Sequence, residues 1–427
     1  MKKINYFIEK NIKKIISIFF IMQPILDVIA AVMLNCLHIE FTLSSIIRFL
    51  FIGFCIYYLF FINKNKKNIL YFSLIILYVL IFSLVMLFNK DISVLFYELK
   101  NTINAFYFPI VFISLYNMYK QYKFNIDIKN ILYLYLIYCL FILIPNITHT
   151  AFMSYSISKV GNAGWFLSAN SVGNILSILF PFTLFYILSV EKKYFLKLFI
   201  IVSSLFIFLS LGTKTPLLSF LICILITFIY YFISWFKNKN YKYIFTSSII
   251  SIILIFIVLI FIPKTSFYKN IQIHKDYLEI NDYLEVFKDY KLIDHFIFSQ
   301  RLTFLSNTSG YYRSVDVSQK LFGIGFIENY GTDLVSTKMI EMDYFDILFR
   351  NGFVGFILFF SVFPVIYEKR NKEKNMLLNL EIYISVILIF ILAFFTGHIL
   401  ISPSVSIFVA LILIIYQGGL YEENYKR

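Results

Sequence analysis

The sequence predicts an all-α, polytopic integral membrane protein of about twelve transmembrane helices interrupted by one large extracytoplasmic loop. Three observations predict it. Hydrophobic residues make up 60% of the 427 and charged residues only 15%, and mean hydropathy is +0.80, outside the range of soluble globular domains. The apolar residues come in runs of about 20, enough for a helix to cross roughly 30 Å of hydrocarbon with its backbone satisfied internally; a membrane barrel would show ten-residue alternation instead. The basic residues, finally, collect in alternate connectors.

Those connectors set the expected orientation. Lys2, Lys3, Lys10, Lys13 and Lys14 precede the first run, and lysine groups recur at 64–67, 120–129, 192–197, 237–242, 369–374 and 426–427. Together they hold 23 of the 38 basic residues, so the positive-inside rule places both termini in the cytoplasm of an inner-membrane protein. A net charge of +14 spread this way answers membrane topology, and nucleic acid is not an expected partner. Cys36, Cys55, Cys139 and Cys223 lie in or beside apolar runs, with no disulfide framework and no metal-ligand spacing, so neither metal nor other cofactor is expected.

The spans are expected at about 15–34, 44–62, 69–88, 102–118, 130–147, 168–189, 196–211, 216–235, 244–263, 344–367, 377–396 and 399–416. The domain organisation that follows is 1–263 as nine helices, 264–343 as the exported loop and 344–427 as three helices with a cytoplasmic tail, one membrane domain overall. The first run lacks a small-x-small cleavage site and is expected to stay as an anchor. It carries Asp27, and the second carries Arg48 one turn in; two charges at one depth in hydrocarbon, each costing on the order of 3 kcal/mol alone, are expected to pair.

Candidate site residues follow in chain order. Lys100, with Glu98, is placed in a short outer connector, as a phosphate contact or a solvated lysine. Asn170 follows a Gly161–Gly164 loop and Ser168 at a helix start whose free N–H groups suit an anion, although capping accounts for the same residues. Lys214 sits in the tight turn Leu211-Gly212-Thr213-Lys214-Thr215-Pro216, as a phosphate ligand or an interfacial lysine. The loop holds eleven of the 24 acidic residues, with Arg301 and Arg313, whose planar charged forks match diphosphate oxygens; each can also be a surface residue. His398 stands at the outer junction of the last two spans, as a packing or a site residue. Asp346 and Arg350 are spaced to pair on one helix face.

Near the loop's end the chain reads Leu321-Phe322-Gly323-Ile324-Gly325-Phe326, then Glu341-Met342-Asp343 and, further on, Gly352-Phe353-Val354-Gly355. This ending resembles the O-antigen ligase and polysaccharide polymerase superfamily, whose motif is a histidine, a polar residue, nine residues, then Gly-x-x-Gly. The resemblance implies a glycosyltransferase C-like fold and an enzyme that moves a glycan from an undecaprenyl-diphosphate carrier to a sugar hydroxyl outside the cytoplasmic membrane. Family members often carry Ser-Arg at the turn of Lys214, an arginine at a similar distance before the Gly-x-Gly, and a similar Gly-to-Asn opening around Asn170. Counting back from Gly352 puts Glu341 where the family has histidine. A glutamate can accept the acceptor's proton in its place, so Glu341 is the expected base, and Arg301 is the second expected catalytic residue, acting on the donor diphosphate. Asp343 is its rival, and a helix cap is the structural alternative for Glu341. Lys214, Arg313, Asn170, Lys100, His398 and Asp343 are the expected substrate contacts.

Polymerisation of repeat units is ranked ahead of ligation. The implied partners are the lipid-linked glycan donor, its sugar acceptor, membrane lipids, and a chain-length regulator or flippase. A lipid-linked oligosaccharide flippase or other transporter is the competing function, and a non-enzymatic scaffold a third; the grouping of Asp27, Arg48, Lys214, Glu341, Asp346, Arg350 and His398 at one expected depth favours a site over a path. The orientation is tested by labelling a cysteine-free protein that carries Ser306→Cys or Asn371→Cys. An impermeant thiol reagent added outside is expected to reach position 306 and not 371, and the opposite pattern inverts the topology.

Overall fold

The computed structural model describes residues 2–39, 42–153, 160–243, 245, 260–330, 333–336, 339–364 and 375–420. Nine helices come first: α1 (Lys2–Asn35), α2 (Leu43–Tyr57, continued by a π-helical turn through Asn63), α3 (Lys66–Asn89), α4 (Leu95–Ala105), α5 (Tyr107–Tyr122), α6 (Ile128–Thr148), α7 (Ala169–Ser189), α8 (Tyr194–Leu211) and α9 (Lys214–Lys237). Four shorter helices follow: α10 (Ser266–Tyr277), α11 (Tyr290–Phe296), α12 (Arg301–Ser314) and α13 (Val317–Phe322). An antiparallel hairpin pairs β1 (Ile327–Tyr330) with β2 (Asp333–Ser336) in the register Ile327 to Ser336. The described chain closes with α14 (Asp343–Phe360), α15 (Met376–Phe395) and α16 (Pro403–Tyr416).

Among the described residues, eight helices are long and apolar enough to cross a membrane: α1, α2 with its π turn, α3, α6, α7, α8, α9 and α15. The count is below the expected twelve for four separate reasons. The expected span 102–118 is broken at Phe106, which caps α4 and opens α5, leaving a 16-residue helix. The expected span 244–263 lies almost wholly outside the described residues. The expected span 344–367 becomes α14, which has 18 residues and carries Asp343, Asp346 and Arg350. The last, α16, has 14 residues. The expected loop 264–343 is largely helical among the described residues, and its hairpin is the one departure there from an all-α fold.

The chain divides into two compact units. The first comprises Met1–Ile126, Val286–Lys372 and Ile389–Tyr421. Its core is α5 against α16: Val405 through Ile415 are all buried, as are Tyr107 through Tyr116. Helices apolar on every side belong in such a place. The backbone N–H of Ile126 donates to Gly419 O at 2.7 Å and closes the far end of this pair. Phe20 of α1 meets Phe408 of α16, and Phe19 stacks on Phe51 of α2 at 3.7 Å. Between α1 and α2, Arg48 pairs with Asp27 as expected, and its guanidinium also donates to Gln23 Oε1 from Nε at 3.1 Å and Nη2 at 3.0 Å.

The second unit comprises Asp127–Glu285, Glu373–Leu388 and Glu422–Arg427. It packs α6, α8 and α9 around the almost wholly buried α7. Asp127 and Ser168 cap α6 and α7. Gly212, at φ 72, ends α8 in the left-handed conformation and lets the chain turn into α9 within two residues. The first part of the expected loop, α10, is held here by Asn270, which accepts from Val160 N at 2.6 Å and donates to Gly212 O at 2.9 Å.

The glycine motifs of the first unit form one interlock. Gly352 breaks α14 with φ 67 and ψ −179, a region essentially reserved for glycine. The three carbonyls just before the break accept from outside the helix. Phe349 O takes Ile324 N–H at 3.0 Å, Arg350 O takes Gly325 N–H at 3.1 Å, and Asn351 O takes the Tyr78 hydroxyl at 2.7 Å. A Cβ on Gly323 would stand 2.0 Å from Arg350 O, and one on Gly352 would stand 2.4 Å from Gly323 N. The Gly-x-Gly and the Gly-x-x-Gly thus dock on each other backbone to backbone. Gly352→Ala is expected to lower stability by about 2–4 kcal/mol through strain and clash, and Tyr78→Phe by about 1–2 kcal/mol through the orphaned carbonyl. Thermal unfolding of purified protein in detergent reads both; a wild-type transition for Gly352→Ala would refute the interlock.

Candidate functional site

The start of α14 is built around two buried carboxylates. Asp343 is fully buried and accepts from three successive amides, His398 N at 2.7 Å, Ile399 N at 2.9 Å and Leu400 N at 2.7 Å. Asp346 accepts from Ile340 N at 2.9 Å and Met342 N at 3.1 Å, reaching back over the helix start as a capping carboxylate does. Arg350 lies one turn on and donates from Nη1 to Gly325 O at 3.1 Å. Each of these groups therefore ties a separate chain segment to the head of α14: the 398–400 loop, the 340–342 approach and the Gly-x-Gly segment.

Glu341 stands just outside that helix, since Met342 occupies the cap position. The helix-cap alternative for Glu341 fails on this geometry. Its backbone is left-handed at φ 61, and its carboxylate is free to reach Arg301, whose Nη2 lies 2.7 Å from Glu341 Oε2. The arginine side chain is 11% exposed and the glutamate 32%, so the pair sits at a rim and not in the core. Arg301 Nε is buried without a hydrogen-bond partner among the described residues. The 398 loop abuts the same spot: Gly397, at φ 61, leaves no room for a Cβ, which would stand 2.6 Å from Glu341 C. His398 is itself left-handed at φ 58. Two non-glycine residues in this region so close together are uncommon, and strain of this kind concentrates at functional sites.

Beside this rim is a cavity of about 220 Å³. Tyr97, Asn101 and Asn104 of α4 line one wall, falling at i, i+4 and i+7 on a single helix face. Asn351, Asp346 and Ile347 of α14, Phe326, Met339, and His398 with Ile401–Pro403 form the rest. The wall is held by Glu98, one residue from Tyr97. Its buried carboxylate pairs with Lys90 and accepts from Phe326 N at 2.7 Å and Ile327 N at 2.9 Å.

Of the expected residues, Arg301, Glu341, Asp343 and His398 come together here, all in the first unit. Lys100 does not line the cavity; it is half-buried on the flank of the α4 face, in a helix and not the connector expected for it. Arg313 is exposed in the last turn of α12, twelve residues from Arg301 and so about 18 Å along the helix. Lys214 and Asn170 belong to the second unit. Lys214 opens α9 with Nζ 3.5 Å from His274 Nδ1, and Asn170 is half-buried in the first turn of α7, which Ser168 caps. Sequence reasoning missed Lys90, Asn101, Asn104 and Asn351 and undervalued Glu98. The available signal was an i, i+3 amide pair, Asn101 and Asn104, split between a connector and the start of the expected span 102–118.

A family model described as O-antigen ligase like membrane protein matches residues 9–291 and 284–417 of the chain. Searches of curated proteins and of solved structures return no match. The two acids of the site are expected to differ in what their removal costs. Asp343→Asn replaces an acceptor of three amides and should cost about 2–4 kcal/mol, whereas Glu341→Gln, at a rim pair, should shift stability by less than about 1 kcal/mol. Thermal unfolding of the two variants checks this, and the reverse order would show that the amide clamp is not what holds the 398 loop.

Proposed function

This chain belongs to the O-antigen ligase like membrane protein family, and from that premise we propose that it is a membrane glycosyltransferase acting on an undecaprenyl-diphosphate-linked glycan at the extracytoplasmic face of the cytoplasmic membrane. The observation that supports the reading is the Arg301–Glu341 pair at 2.7 Å, which stands against Gly397, next to His398 of the cavity lining. The lysine distribution supports the placement outside. We further propose polymerisation of repeat units ahead of ligation, because Glu341 stands where ligases carry histidine.

The chemistry needs little beyond charge and one base. The acceptor hydroxyl attacks the anomeric carbon, a new C–O bond forms, and the bond to the carrier diphosphate breaks with its electron pair. Arg301 is suited to stabilise the charge that develops on that diphosphate. Glu341 binds Arg301 through Oε2, and its second oxygen is the group we assign to take the hydroxyl proton. Lys214 is proposed as a separate contact to the donor phosphates. Asp343 is assigned a structural role, since three amides already use its oxygens.

Purified protein given a defined polyprenyl-diphosphate glycan and a sugar acceptor is expected to release free carrier diphosphate. Glu341→Gln should bind the donor and lose roughly two to four orders of magnitude in turnover, and Arg301→Ala or Lys214→Ala should cost about 2–4 kcal/mol of transition-state stabilisation. Wild-type turnover by a correctly folded Glu341→Gln would remove it as the base. No release by the wild-type protein would sink the enzymatic reading.

A further inference from the structure

The geometry points to the cavity beside α14 as the subsite for one neutral monosaccharide ring of the acceptor, and it places the diphosphate elsewhere; this rests on the glycosyl-transfer reading. Among the described residues no lysine or arginine lines the cavity, so its described wall lacks the guanidinium or ammonium that holds a phosphate best. Of its titratable lining groups, Tyr97, Asp346 and His398, Asp346 has both oxygens taken by backbone amides. What remains is chemistry that recognises sugar hydroxyls: the amides of Asn104 and Asn351, the amide of Asn101, whose Nδ2 also donates to Tyr97 O at 3.0 Å, and the hydroxyl of Ser402, which also bonds Ser404 Oγ at 2.9 Å.

Three details sharpen the assignment. Asn351 is 1% exposed, and its Oδ1 has no hydrogen-bond partner among the described residues, an omission that buried polar groups rarely show. A sugar hydroxyl would supply the donor. Tyr97, 42% exposed at the edge of the same helix face, offers an aromatic surface to the C–H face of a ring. The volume, about 220 Å³, lies below the roughly 300–1,000 Å³ of sites for drug-sized ligands and suits a single ring better than a chain. On this assignment α4 is the element that selects the acceptor sugar, and the wall that bears it is fixed to the 326–327 strand by Glu98.

Cysteine labelling tests the site in the full-length protein. Cys36 is the exposed native cysteine and the other three are buried, so Cys36→Ser with Asn104→Cys gives one accessible thiol, and Tyr97→Cys serves if Asn104→Cys does not fold. Saturating free glucose, galactose, N-acetylglucosamine or rhamnose is tried in turn, and at least one is expected to slow alkylation about fivefold or more by occupying the cavity. Inorganic pyrophosphate at the same concentration should not. Protection by pyrophosphate, or by no sugar, overturns the assignment. Asn104→Ala should then raise the acceptor KM about tenfold with the donor KM unchanged, and a rise confined to the donor KM would assign the ring to the donor and overturn the acceptor subsite. Carrier release by the wild-type protein is scored separately, so a failed subsite and a failed enzymatic reading give different results.

Discussion

Backbone hydrogen bonds across the break at Gly352 hold the site of this protein together. A helix interrupted in an apolar setting exposes carbonyls that have no water to turn to, and each one left alone costs several kcal/mol. Here Phe349, Arg350 and Asn351 hand their carbonyls to Ile324, Gly325 and Tyr78. The segment that supplies two of those donors arrives as the Gly-x-Gly, which must lie against the helix with no side chain between them. Hence the glycines at 323 and 352: a Cβ at either would overlap the other segment's backbone. Once docked, Gly325 O receives Arg350, and the next two residues are caught by Glu98. One break in one helix thereby sets the position of the strand, of α4 and of the cavity wall between them.

The carboxylates of the site divide by environment. Asp343 and Asp346 are buried and spend their oxygens on backbone amides, which is how an interior charge is made tolerable. They shape the loops. Glu341 is partly exposed and spends one oxygen on Arg301. Three acids within six residues look alike as letters, yet one stands partly exposed at a rim and two are buried where they hold the loops. The cavity with its three asparagines and the Arg301 rim divide the same way, neutral polar groups in one place and a cation in the other.

Much of the architecture was legible in the sequence because it follows from composition and run length. Eight of the expected spans appear as helices long enough to cross a membrane, and the Asp27–Arg48 pair was foreseen from two charges at a common depth. The spans that differ are those where length and hydropathy compete with something else. Phe106 breaks one into α4 and α5, charged residues at the head of α14 mark another, and α16 is too short. A hydropathy run records that residues are apolar and does not record whether lipid or protein surrounds them. The short α16, buried from Val405 through Ile415, is the case in point.

The sequence by itself determined the class of the protein, the family through its spaced glycines, and the presence of Arg301, Glu341 and His398 near its functional end. Only the tertiary structure decided which of these meet. Arg301 and Glu341 are 40 residues apart, and Asp343 is 55 from the amide of His398. Pairings over such separations are set by how the intervening helices pack, and no local pattern encodes them. The same holds for Glu98, read as part of a connector, whose role depends on a strand 228 residues later. It holds too for the asparagines of α4, which become a wall only when α14 lies opposite.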